Sequence, residues 1–108
     1  IRRYGMFYCP MDEALTRVVI DLSGRPYLVY DVELKVERIG AFETEMLREF
    51  LYALSVHGRM NLHVTNLYGV NAHHIVESVF KALGHALKEA VRIDGDETSV
   101  LSTKGVLE

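Results

Sequence analysis

Between Arg17 and Val91 the apolar residues change period three times, from two to about 3.6, back to two, and again to about 3.6. No all-helical or all-strand fold fits that record, because a strand face repeats every second residue and a helix stripe every third or fourth. Val18, Ile20 and Leu22 alternate with Val19 and Asp21, which predicts a half-buried strand from Arg17 to Leu22. Ser23-Gly24-Arg25-Pro26 supplies turn chemistry after it. Leu28, Tyr30, Val32, Leu34 and Val36 then share a second strand face, with Asp31, Glu33, Lys35 and Glu37 on its wet side. Helical spacing begins near Thr44, where Leu47, Phe50, Leu51 and Leu54 form a stripe ending at a capping Gly58. Met60, Leu62 and Val64 alternate with Asn61, His63 and Thr65 in a strand that runs to Tyr68. Asn71 caps a last helix, about Ala72 to Val91, with a core stripe of Val76, Val79, Phe80, Leu83, Leu87 and Ala90. The first ten residues read as an irregular lead-in, and residues 92–108 as a polar loop or tail. The pattern is α+β: helices on one face of a mainly antiparallel sheet.

Length and charge narrow the function. A chain of 108 residues, 49% apolar and 25% charged, is one soluble domain with a core of its own. No apolar run approaches the ~20 residues of a membrane helix, so no membrane partner is expected. A net charge of −3 argues against nucleic acid held on a broad basic surface. Cys9 is alone, so no intrachain disulfide forms, and a reducing, cytoplasmic setting is expected. No secretory pattern opens the chain. It begins at Ile1 rather than Met, as a processed or partial chain would.

The informative motif is Asn71-Ala72-His73-His74-Ile75-Val76-Glu77. On a helix His73 and His74 each lie within one turn of Glu77, and imidazole with carboxylate suits a borderline divalent metal. Adjacent histidines diverge by about 100°, so they suit two ions, or one ion completed from another segment. The alternative is two ordinary polar residues at a helix start. Lys81 extends the stripe as an anion anchor or as a surface ion pair with Glu77. His63 offers a third ligand or an exposed imidazole, while His57 and His85 carry no role. Cys9 reads as a small buried hydrophobe, Asp12 and Glu13 as turn acids, and Arg3 and Arg25 as solvated arginines. Ser102-Thr103-Lys104-Gly105 has the donors to wrap a phosphate, or is a frayed end.

Taken together, Arg3-Tyr4-Gly5, Pro10-Met11-Asp12-Glu13-Ala14-Leu15, Asp21-Leu22-Ser23-Gly24-Arg25-Pro26, Leu62-His63-Val64, Asn71 through Lys81 and Ser102 through Leu107 resemble the second half of imidazoleglycerol-phosphate dehydratase. The resemblance implies a four-stranded sheet with two helices on one face, one of two similar repeats in a large symmetric oligomer. It implies dehydration of imidazole glycerol phosphate to imidazole acetol phosphate in histidine biosynthesis. Two Mn ions per complete site would hold the ring and favour an imidazolate-like state that expels the hydroxyl. By position, His73, His74 and Glu77 match metal ligands, and Glu77 is also an acid/base candidate. Glu49 stands where many relatives carry a fourth, histidine ligand, and a carboxylate can replace it at Mn. Arg3, Arg25, Lys81, Ser102, Thr103 and Lys104 match substrate contacts, the cations chiefly at phosphate. The first repeat is absent, and by internal analogy Glu13 corresponds to its catalytic acid. Three outcomes follow: a half that needs an N-terminal repeat, a half that associates with copies of itself, or a metal-binding assembly module without turnover.

Overall fold

The computed structural model describes residues 1–93. Its main sheet is built on a hairpin, β1 (Tyr4–Met11) against β2 (Ala14–Asp21), in register from Tyr4 opposite Asp21 to Met11 opposite Ala14. Only Asp12 and Glu13 lie between the strands, and Asp12 takes the left-handed conformation (φ 52°) that so tight a turn requires. The expected lead-in is therefore an edge strand. Its Pro10 is tolerated there because an edge strand leaves some amides outside the ladder.

The strand β6 (Asn61–Tyr68) lies antiparallel to β2, with a register shift between Leu15 and Thr16. On its other side β3 (Tyr27–Asp31) pairs parallel to it, which completes the order β1-β2-β6-β3. A parallel neighbour needs a crossover, and the chain supplies it with a small hairpin and a helix. The hairpin is β4 (Arg38–Ile39) and β5 (Phe42–Glu43), and the helix is α1 (Glu45–Gly58). The expected strand to Val36 stops at Asp31, where pairing with β6 ends opposite Thr65. Val32 and Leu34 still pack on the core without being strand residues. The second long helix, α2 (Ala72–Ala90), follows β6.

Both helices cover one face of the sheet, so the fold is the α+β arrangement expected. Val18 and Ile20 on β2, Leu62 and Val64 on β6, Leu47 and Leu51 on α1, and Val79 and Ala82 on α2 form one core. The helix stripes are rotated from the predicted ones. Phe80 is 40% exposed and Phe50 46% exposed, while Ala82, Ala86 and Ala90 are fully buried. The reason is close approach: a Cβ on Gly5 would meet the Ala86 carbonyl oxygen, so only small residues fit between α2 and β1. The larger rings turn aside and meet each other, Phe50 and Phe80 with centroids 5.6 Å apart. The end of α1 differs too: Gly58 is the last helical residue, and Arg59 is the left-handed cap (φ 51°). Cys9 is buried and His63 exposed, as read from sequence. Among the described residues no helix is long and apolar enough to cross a membrane.

Candidate active site

Helix α2 starts where it does because the Asn71 side chain accepts from the His74 amide at 3.0 Å. The cap fixes the first turn, and the two adjacent imidazoles leave it in different directions, their planes 56° apart. They serve two separate clusters.

His73 continues along the helix. Its Nε2 lies 3.5 Å from one Glu77 oxygen, and Lys81 Nζ lies 3.6 Å from the other. This ridge runs beside a cavity of about 510 Å³ walled by Ile39, Phe42, Val76 and Phe80. Apolar walls with an imidazole, a carboxylate and an ammonium at the rim have the make-up of a small-molecule site. The β4–β5 hairpin supplies two of those walls, which sequence patterning did not single out.

His74 turns instead toward the β1–β2 hairpin. Its Nδ1 is 2.7 Å from Glu13 Oε1, and its Nε2 is 3.3 Å from Asp12 Oδ2. The second Glu13 oxygen accepts the amides of Val70 at 2.9 Å and Asn71 at 2.7 Å. Those donors hold the Glu13 carboxyl down to about 2, the Asn71 amide most strongly, then the imidazole and the Val70 amide. The same hydrogen bond to Glu13 is the main reason the His74 imidazole is raised above its ordinary value. Glu13 is thus ionised at neutral pH, with its oxygens aimed at the chain's own donors. By local spacing Asp12 is only a turn acid; the fold sets it beside an imidazole far along the chain.

The remaining candidates lie elsewhere. Arg3 pairs with Asp21, Nε to Oδ1 at 2.7 Å, and that hydrogen bond holds the Asp21 carboxyl below the usual range. Arg25 adds a weaker pull on the same carboxylate from the Ser23–Pro26 turn. The Arg3 amide donates to the Ala90 carbonyl, so this pair of arginines sits at the far end of α2 from His73. At 1.5 Å per residue the 19 residues of α2 separate those ends by about 27 Å. Glu49 lines a different hollow, with Tyr30, Leu34 and Arg48. Ser102, Thr103 and Lys104 lie outside the described residues.

Imidazole and carboxylate are the right donor types for Mn, and among the described residues they meet as His73 with Glu77 and as His74 between Glu13 and Asp12. Among the described residues no three His, Cys, Asp or Glu side chains converge on one metal position.

Comparison with known proteins gives the family and the fold. Residues 1–87 match the family model described as imidazoleglycerol-phosphate dehydratase. The imidazoleglycerol-phosphate dehydratase of Heliobacterium modesticaldum is 60% identical over 108 residues, which is 99% of this chain and 55% of the relative. That of Paracoccus denitrificans is 54% identical over the same shares. Among solved structures, the Staphylococcus aureus enzyme superposes with a TM-score of 0.81 at 46% identity, covering 82% of this chain and 52% of that one. The Pyrococcus furiosus enzyme gives 0.79 at 42% identity, covering 98% and 58%. The chain spans about half the length of the relatives it matches.

Proposed function

The chain belongs to the imidazoleglycerol-phosphate dehydratase family, and from that premise we propose that it supplies the second-repeat share of a dehydratase site. The reaction is dehydration of imidazole glycerol phosphate to imidazole acetol phosphate in histidine biosynthesis. A C–O bond breaks, the hydroxyl leaves as water, and the neighbouring carbon gives up the balancing proton. The observation that carries this reading is the His73–Glu77–Lys81 ridge beside an apolar-walled cavity.

Two Mn ions per complete site would draw on His73, His74 and Glu77 of one chain, with Glu49 contributed where another chain approaches. When bound, such an ion acts as a Lewis acid toward a nitrogen of the substrate ring. This chain's own groups do the rest. Glu77 is the carboxylate placed to take up and return a proton at the cavity rim, and Lys81 holds its outer oxygen. Arg3, Arg25, Ser102, Thr103 and Lys104, with Lys81, are the substrate contacts in this reading, the cations chiefly at phosphate.

A three-carbon phosphate ester cannot bridge the roughly 27 Å between His73 and the arginine end of one α2, which has 19 residues. The reading therefore requires residues of a second chain: copies of this one or an N-terminal repeat, in a large symmetric oligomer. No nucleic acid or membrane enters it, and the setting is cytoplasmic. The same separation favours a second reading for the chain by itself, a metal-binding assembly module without turnover. Sedimentation with Mn and after chelation, together with turnover of imidazole glycerol phosphate, separates them. A metal-promoted oligomer with measurable turnover supports the dehydratase reading, and the same oligomer without turnover supports the module. A monomer in both conditions that still holds two tight ions overturns both.

A further inference from the structure

Glu13 lies outside the His73 ridge, yet its carboxylate is the most fully engaged one at the start of α2. It reaches across the sheet end from the β1–β2 turn and closes three contacts at once: the Val70 amide, the Asn71 amide and His74 Nδ1. With its Oε2 already accepting two backbone amides, the Glu13 carboxylate turns its Oε1 to His74 Nδ1 at 2.7 Å, a geometry in which Nδ1 is the donor. The other imidazole nitrogen then faces away from Glu13, toward Asp12 and solvent. Histidines that bind metals are commonly held in this way, with the distal N–H donated to a carboxylate that fixes the tautomer and the ring plane.

We propose that Glu13 is a positioning residue, which locks the proton of His74 on Nδ1 and so presents the Nε2 lone pair to a divalent cation. This role replaces the acid/base role that repeat analogy assigns to it, and it rests on reading His74 as a metal ligand. The two amide contacts are part of the device. They tie the carboxylate to the turn that caps α2, so the imidazole is oriented relative to the helix it grows from.

Glutamine makes a sharp test, because it has the same shape but a single acceptor oxygen. Glu13→Gln can accept from the amides or from Nδ1, never from both groups. The ring nitrogen shifts of His74, read by NMR in the metal-free chain above the imidazole titration, report the tautomer. The wild type should show hydrogen on Nδ1, and Glu13→Gln a mixture with hydrogen on Nε2. His85, stacked on Phe7 with centroids 4.1 Å apart, stays unchanged as the internal reference. Mn alone is then titrated, and its affinity should fall roughly 10- to 100-fold in Glu13→Gln. Glu13→Ala should match or exceed that loss. If it does not fold, the glutamine variant still decides. A wild-type His74 with hydrogen on Nε2, or a variant with unchanged tautomer and unchanged Mn affinity, overturns the assignment. Failure of the underlying reading looks different. His74→Ala would then leave Mn binding untouched while the tautomer still follows residue 13.

Discussion

The two sides of the α2 N-terminus each set a histidine against a glutamate and are built in opposite ways. On one side His73, Glu77 and Lys81 form a ladder four residues apart, with side chains 67%, 40% and 52% exposed. Contacts of that kind are long, wet and individually weak. On the other side His74 is 31% exposed, and Glu13 reaches it from another element over a sequence separation of 61. Its contacts are short and anchored on backbone amides. The difference is one of preorganisation. The ladder leaves its groups adjustable, while the tertiary cluster holds one imidazole still.

The largest effect expected from this contrast is on metal. His74→Ala should weaken Mn binding by more than the roughly 10- to 100-fold of an outer contact, because a donor itself is lost. His73→Ala should weaken it less, since its partner Glu77 remains on the ridge. Equilibrium dialysis of both variants measures the asymmetry, and equal losses would erase it.

Next in size is a change that touches neither cluster. Thr16 and Ser78 share a buried hydroxyl contact of 2.6 Å, and Asn66 also donates to Thr16, which pins α2 against β2 one turn beyond His74. Ser78→Ala should cost about 1–2 kcal/mol in chemical denaturation. Its Mn affinity should drop if the His74 cluster depends on helix placement, while ladder contacts within α2 stay intact.

Acid should separate the sides further. The Glu13 carboxyl is ordinarily near 4.5 and is held at about 2 in the folded chain, so its ionised form is favoured by folding. That contribution is complete above about 4.5 and is lost as pH falls through about 2. Wild type should therefore lose more stability across that window than Glu13→Gln, in melts of the metal-free chain. Parallel pH curves would show that the carboxylate contributes nothing by its charge.

The smallest effect is on stability at two exposed cations, Lys81 of the ladder and Arg25 of the Ser23–Pro26 turn. Lys81→Ala and Arg25→Ala should each move the thermal midpoint little, since exposed charges contribute ~0–1 kcal/mol. Binding of a phosphate-bearing imidazole analogue should fall much further. A collapsed midpoint with intact ligand binding would assign both residues to folding instead.

What the sequence by itself determined follows one physical rule: it is everything whose partners lie within a turn or a pleat. The alternation of Val18 and Ile20, the cap at Asn71 and the His73–Glu77–Lys81 ladder all depend on backbone periodicities that act over two to four residues. Only tertiary structure decided the rest. Whether residues 4–11 form a strand depended on β2 being there to pair with them. Which helix positions face inward depended on the closeness of α2 to Gly5, which selects alanines over Phe80. Glu13, adjacent to Asp12 in a hairpin turn, reads locally as a turn acid. It becomes the partner of His74 because the sheet carries that turn to the first turn of α2, where two backbone amides and an imidazole have donors to satisfy. Local rules name the donors at a helix start, but the acceptor that meets them is chosen by packing between segments the chain brings together only when folded.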